Sequence, residues 1–313
     1  MAESSEHSAA SPALARFAWA VLVYFIAVIL WGTLVRATGS GAGCGDHWPL
    51  CNGTVLQRSA TLETLIEFTH RITSGLSLVA VLVLVSWTWR AAPRAHLARW
   101  FAAAAVFLTF MEAILGALLV RLGLTAQSIN PLRPTFLALH LANTLLLLAA
   151  LTLTAHFLGR SHGYRWSAVR LTSPFAALGG IFLMLLVAVA GSLAALGDTL
   201  FPAASLGSAL QEDFSSASYW LLRWRWAHPV CALLAGAFLV WILFRALREP
   251  NRQQQRPIAG LVLSLLVCVG VLGALDVAML APVWVQVVHL AAADSFWAAL
   301  VVLTARLTFA PAD

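Results

Sequence analysis

Four histidines stand one each in four apolar stretches: His70 in "EFTHRITSG", His140 in "LALHLANTL", His228 in "RWAHPVCALLAG" and His289 in "QVVHLAAAD". An ionisable ring inside a membrane-length apolar segment is disfavoured unless it is paired or used, so each is a functional candidate. The rings can hydrogen-bond between helices or bind a metal. Two imidazoles from separate helices of one bundle can also take both axial positions of a heme. Zinc or copper would more often recruit further Cys, His or carboxylate ligands. Each histidine comes about five or six residues after one end of its stretch, roughly 8–9 Å deep at ~1.5 Å per residue. That common level favours heme, with His70 paired to His140 and His228 to His289.

Glu67 precedes His70 by three residues and therefore shares its helical face. It reads either as half of an ion pair with Arg71 or Arg36, or as a carboxylate beside heme chemistry that moves protons or stabilises developing positive charge. Arg225 stands in the same relation to His228, where a cation suits a heme propionate. Glu112 and Asp276, within two other stretches, read as proton-path residues or as local interhelical hydrogen-bond partners.

The polar segment "GSGAGCGDHWPLCNG", residues 39–53, brings Cys44 and Cys51 close in sequence. A disulfide, a zinc site completed by Asp46 and His47, and free or exchanging thiols are the three readings. An oxidising exterior favours the disulfide, and Gly45 and Pro49 help the spacer turn. Cys231 and Cys268, inside apolar stretches, read as small core residues.

The elements that must position these groups follow from composition. The 313 residues are 61% hydrophobic and only 10% charged, with a mean hydropathy of +0.85. Such a chain is an all-α polytopic membrane protein. Eight apolar stretches, at about 17–36, 64–89, 99–120, 135–158, 173–195, 222–246, 257–279 and 284–308, each approach the ~20 residues that span a hydrocarbon core. All 19 basic residues are arginine, 12 on the side of the termini and 7 opposite. The positive-inside rule then makes both termini cytoplasmic, with the cysteine segment and the histidine level external. The net charge of +6 suits an anionic membrane surface and needs no nucleic-acid partner. The small polar residues before position 17 read as a tail; without a basic n-region, the run after them reads as a helix and not as a cleaved signal.

The first four stretches share landmarks with the last four: "GSGAGCGDHWP" beside "GSLAALGDTLFP", "LGALLV" beside "LGALDV", and "LHLAN" beside "VHLAA". Two pseudo-symmetric four-helix bundles of parallel orientation are expected. The organisation is a cytoplasmic tail (1–16), an N-terminal half (17–158), a cytoplasmic linker (159–172), a C-terminal half (173–308) and a second tail (309–313).

With "RATGSGAGCGDHWPLCNG" followed by "EFTHR", and a histidine in every second stretch, the chain resembles heme A synthase over nearly its whole length. The resemblance implies oxidation of the C8 methyl group of heme O to a formyl group, by two hydroxylations and a dehydration, giving heme A for terminal oxidases. It implies that His70 and His140 hold the substrate heme, that His228 and His289 ligate a resident heme b, and that Glu67 is catalytic. Cys44 and Cys51 would form an external disulfide over the substrate site, with Arg36, Arg71 and Arg225 as propionate or ion-pair partners. It further implies a bacterial inner (plasma) membrane, heme O synthase as donor, lipid contacts and an electron acceptor, for which quinone is a candidate. A homo-oligomer is compatible with it. The rival is a diheme, cytochrome b-type protein passing electrons from quinone, which leaves Glu67 and the cysteine segment without a task. A heme or ion transporter is the third class.

Overall fold

The computed structural model describes residues 11–54, 60–160, 174–248 and 250–309. Among them the chain forms α1 (Pro12–Ala37), α2 (Leu62–Ala91), α3 (Leu97–Arg121), α4 (Leu132–Leu158), α5 (Pro174–Leu200), α6 (Leu206–Phe214), α7 (Ala227–Leu247), α8 (Arg256–Ala278) and α9 (Val283–Thr308). All except α6 belong to segments long and apolar enough to cross a membrane. The protein is therefore an all-α polytopic membrane protein.

Local chemistry sets the helix ends. The Ser11 hydroxyl accepts the Leu14 amide and Pro12 occupies the first turn, so α1 begins inside the segment expected as a tail. Thr61 caps α2 by accepting from the Thr64 amide. In α7, Pro229 falls in the first turn, where its missing N–H leaves no helical bond unmade. Two features depart from the expected stretches. α5 runs on through Leu200 and carries Asp198 and Thr199 into the structured region. The amphipathic α6, closed by a Ser205–Ser208 capping box, was not expected at all. The linker 159–172 falls almost wholly outside the described residues, as do 1–10 and 310–313.

α1 packs against α2 and α4, and α3 packs against the same two helices, so α2 and α4 face each other across a ring. In the second half, α5 and α8 each pack against α7 and α9. α4 and α9 also touch each other, joining the halves together with the α1–α9 and α4–α5 contacts. The apolar core lies at the end remote from the histidines, from Leu14, Val21 and Phe25 through Leu148 and Leu151 to Trp297 and Leu300. There the Trp297 indole donates to the Leu145 carbonyl at 2.8 Å. At the opposite end the halves are tied by Arg36, which donates to the Ala195 carbonyl (2.9 Å), Thr199 Oγ1 (2.8 Å) and Gln286 Oε1 (2.8 Å). Cys231 and Cys268 are exposed on outward faces, not packed in the core as expected. In a membrane protein the outward face is also apolar, so hydrophobicity does not tell inside from outside.

His96, between α2 and α3, is buried and caps α3, its Nδ1 accepting from the Ala98 amide at 3.2 Å. Burial holds the ring below its ordinary value of about 6.5. A proton on Nδ1 removes the acceptor, and the unfolded chain takes up that proton first as pH falls. The stabilisation is therefore complete above about pH 6.5 and declines as pH drops below it toward the depressed folded value. Thermal unfolding in detergent should show a loss on the order of 1 kcal/mol, the worth of an N-cap, on acidification. His96→Asn, which keeps an acceptor that does not titrate, should flatten that slope; an unchanged slope would dismiss the cap as its source.

Candidate functional site

The N-terminal site is assembled around the start of α2. Cys44 and Cys51 are joined in a disulfide, which rules out the zinc and free-thiol readings of the pair. The loop they close is fastened to α2 by polar contacts one turn from His70. The Cys44 amide donates to Glu67 Oε2 at 2.8 Å, and Thr64 Oγ1 donates to the Gly43 carbonyl at 2.8 Å. Arg71 donates to Glu67 Oε1 and to the Leu50 carbonyl, both at 2.6 Å, and also to the His47 carbonyl. Gly43 is obligatory here: a Cβ would lie 2.5 Å from the backbone carbon of Glu63.

Glu67 is therefore a buried carboxylate, 3% exposed, held by one backbone amide and one guanidinium. Of the two ion-pair partners considered, it takes Arg71, while Arg36 turns to the other half. Such a group offers fixed negative charge.

The two histidines of each half stand on helices that share neighbours, His70 on α2 and His140 on α4 beside α1 and α3, and His228 on α7 and His289 on α9 beside α5 and α8. All four are half-buried. Each ring lies against a glycine of the preceding long helix. A Cβ at Gly32 would fall 2.9 Å from His70 Cε1, at Gly116 3.9 Å from His140 Cε1, at Gly191 2.8 Å from His228 Cε1 and at Gly273 3.1 Å from His289 Cε1. Sequence reasoning missed these four cradles. The only signal was a glycine in each odd-numbered apolar stretch near the histidine level. Gly32, opening "GTLVRATG", and Gly191, opening "GSLAALGD", thus share a contact, whereas the sequence comparison sets Gly39 beside Gly191.

The donor set fits heme. Each half offers two imidazoles from separate helices, and the backbone helps settle which nitrogen is free. His228 Nδ1 lies 3.0 Å from the Val187 carbonyl, an arrangement that leaves Nε2 as the ligating atom. Among the described residues no three His, Cys, Asp or Glu side chains converge as a metal site. A bis-imidazole heme needs no third ligand.

Of the propionate and ion-pair roles open to Arg225, the ion pair is the one observed. Its Nε donates to Asp213 (2.8 Å), Nη1 to Asp198 (2.9 Å), and Nη2 to the Ala209 carbonyl (3.2 Å) and Glu212 (3.4 Å). These bonds fasten α6 to the ends of α5 and α7. The guanidinium is 8% exposed, and its charge is matched by carboxylates of the chain. Glu212 and Asp213 escaped sequence reasoning because α6 itself did, and Asp198 because α5 runs past its expected end.

Comparison with known proteins places these features. Residues 15–301 match the family described as "Cytochrome oxidase assembly protein" (COX15-CtaA). A Thermus thermophilus protein named protoheme IX farnesyltransferase is 41% identical over 93% of this chain and 48% of its own length. The chain thus spans about half the length of that relative. The heme A synthase of Exiguobacterium sp. is 30% identical over 82% of this chain and 81% of its own. That of Alkalihalophilus pseudofirmus is 41% identical over 43% of this chain and 44% of its own. With almost all of its length matched, from α1 into α9, this chain belongs to the COX15-CtaA family of cytochrome oxidase assembly proteins.

Proposed function

We propose that the chain is a heme A synthase of the bacterial inner membrane, built as two versions of one four-helix bundle. Heme O is the substrate, held by His70 and His140. A resident heme b is held by His228 and His289 and supplies one-electron transfer when bound. With water as the oxygen source, each of two hydroxylations of the C8 methyl group releases two electrons and two protons, the resulting diol loses water to become the formyl group, and the electrons pass to an acceptor of the quinone class. Glu67 presents fixed negative charge where positive charge develops on the macrocycle substituent. The Cys44–Cys51 loop covers the substrate and limits water.

The observation that carries this reading is the bond from the Cys44 amide to Glu67, one turn from His70. It joins the disulfide loop to the carboxylate beside His70, which supports a common role for them. A diheme electron carrier has no use for that arrangement. The name of the Thermus relative does not transfer to the shared segment, which is under half of that protein. The heme A synthase of Exiguobacterium sp. matches over four fifths of both chains. A relative named for farnesyl transfer to protoheme IX, and about twice as long as the shared part, instead supports a heme O synthase working beside this chain.

Co-expression with a heme O synthase, followed by heme extraction, chromatography and mass spectrometry, tests the proposal. Heme A is expected in cells carrying the chain. Recovery of unmodified heme alone from protein with both sites loaded would favour the electron carrier.

A further inference from the structure

Glu112, on α3, lies against His140. Its Oε1 is 3.5 Å from His140 Nδ1, an ion-pair distance just beyond a closed hydrogen bond. The carboxylate is held in place by α4 itself: Thr144 Oγ1 donates to Oε1 and Asn143 Nδ2 donates to Oε2. Asn143 also donates to the Leu108 carbonyl at 2.9 Å, and the single Thr144 hydroxyl proton is shared between Oε1 and the His140 carbonyl, 2.9 Å from Oγ1. Glu112 is thus built into the α3–α4 contact with one oxygen toward the imidazole. Of the two roles open to it in the sequence, interhelical bonding is the one observed.

Its position in the repeat gives this contact its meaning. Four residues before each cradle glycine come Val28, Glu112, Val187 and Val269. In the C-terminal half that position serves the histidine with a backbone carbonyl. Val187 lies 3.0 Å from His228 Nδ1, and Val269 lies toward His289 Nδ1 without closing a bond of normal geometry. At the corresponding position of α3 a carboxylate stands 3.5 Å from His140 Nδ1 in place of the carbonyl, without closing a hydrogen bond to it, and no group closes a bond to His70 Nδ1. A carboxylate behind an imidazole makes the ring a stronger electron donor than a carbonyl does. Stronger donation favours the ferric form of a ligated heme.

We infer that Glu112 is a positioning residue that orients His140 and holds the N-terminal heme at a lower reduction potential than a carbonyl-backed ligand would. The inference rests on the reading above only in that a heme occupies the His70–His140 site.

Anaerobic redox titration of the purified full-length chain with its bound hemes tests it. The N-terminal component is identified as the one lost in His70→Ala. Glu112→Gln, which keeps the shape and removes the charge, should raise the ferrous-to-ferric ratio of that component about tenfold at fixed potential, or about 59 mV. Thr144→Val removes a donor that competes for Oε1, so the same component should shift the opposite way. The C-terminal component should stay fixed in both. No shift in either variant, or a shift of one sign in both, would overturn the inference, because a merely structural role gives no sign reversal. Wild-type chain without a heme at the His70–His140 site would overturn it together with the proposed function. If the wild type converts heme O and the potentials do not move, Glu112 alone has been misread. If the potentials move as expected without conversion, the tuning stands and the synthase does not.

Discussion

Glu67→Gln should leave both hemes bound and reduce conversion of heme O by about 10²–10³-fold, with heme O or a hydroxylated product accumulating. The magnitude is that of losing one preorganised electrostatic contact, about 2.7–4 kcal/mol. The fold around the site should survive for a specific reason. Glutamine can still accept the Cys44 amide with its oxygen. Arg71 keeps its bonds to the His47 and Leu50 carbonyls, and Thr64 still bonds the Gly43 carbonyl. The loop therefore remains fastened to α2 while the negative charge disappears. Heme content and conversion, measured on the same preparation, separate two roles for the residue. Loss of conversion at full heme loading marks a group that acts on the reaction. Loss of both in parallel would mean that Glu67 only anchors the loop, and unchanged conversion would remove it from the chemistry altogether.

The parts of this protein that were legible in its sequence are those in which a rare group stands against a uniform background. Eight spans could be read because hydrocarbon forces the backbone to satisfy itself within helices, and long apolar runs are the result. The histidine level could be read because four ionisable rings interrupt those runs. The Glu67 and disulfide neighbourhood could be read because two cysteines and an E-x-x-H spacing are uncommon.

What could not be read depends on partners. Any of 20 glycines could have been a cradle, and only packing shows that Gly32 and Gly191 meet imidazoles. The "GS" letters of Gly39 and Gly191 aligned by identity, although Gly191 shares its contact with Gly32. The ion pair was open to Arg225 in the sequence, but its partners on α6 were not, because nine amphipathic residues produce no span. Cys231 and Cys268 were placed in the core by a rule that fails where the solvent is also apolar.

The glycine cradles lead to the second large effect, because the same contact has different consequences for a core histidine and for an axial ligand. A methyl at Gly191 would lie 2.8 Å from His228 Cε1, 3.1 Å from Nδ1 and 3.2 Å from Nε2, and one at Gly32 would lie 2.9 Å from His70 Cε1. A histidine that merely fills space is the free end of a side chain and can turn aside, at the modest cost of overpacking, about 1–3 kcal/mol. A histidine whose Nε2 must stay on an iron cannot turn without giving up the ligand. Gly191→Ala should therefore lower heme affinity at the C-terminal site at least about tenfold, equivalent to about 1.4 kcal/mol, and Gly32→Ala should do the same at the N-terminal site. Each should leave the other half's pigment in place. Gly116→Ala, whose methyl would meet His140 Cε1 at an ordinary 3.9 Å, is the control expected to keep both. Gly273→Ala, at 3.1 Å from His289, should fall between. Heme-to-protein ratio and the low-spin spectrum of each variant give the readout. A loss that follows these distances requires the histidines to be fixed in place. If Gly191→Ala and Gly32→Ala bind heme as the wild type does, the rings are free to move and the four-histidine assignment fails at its base.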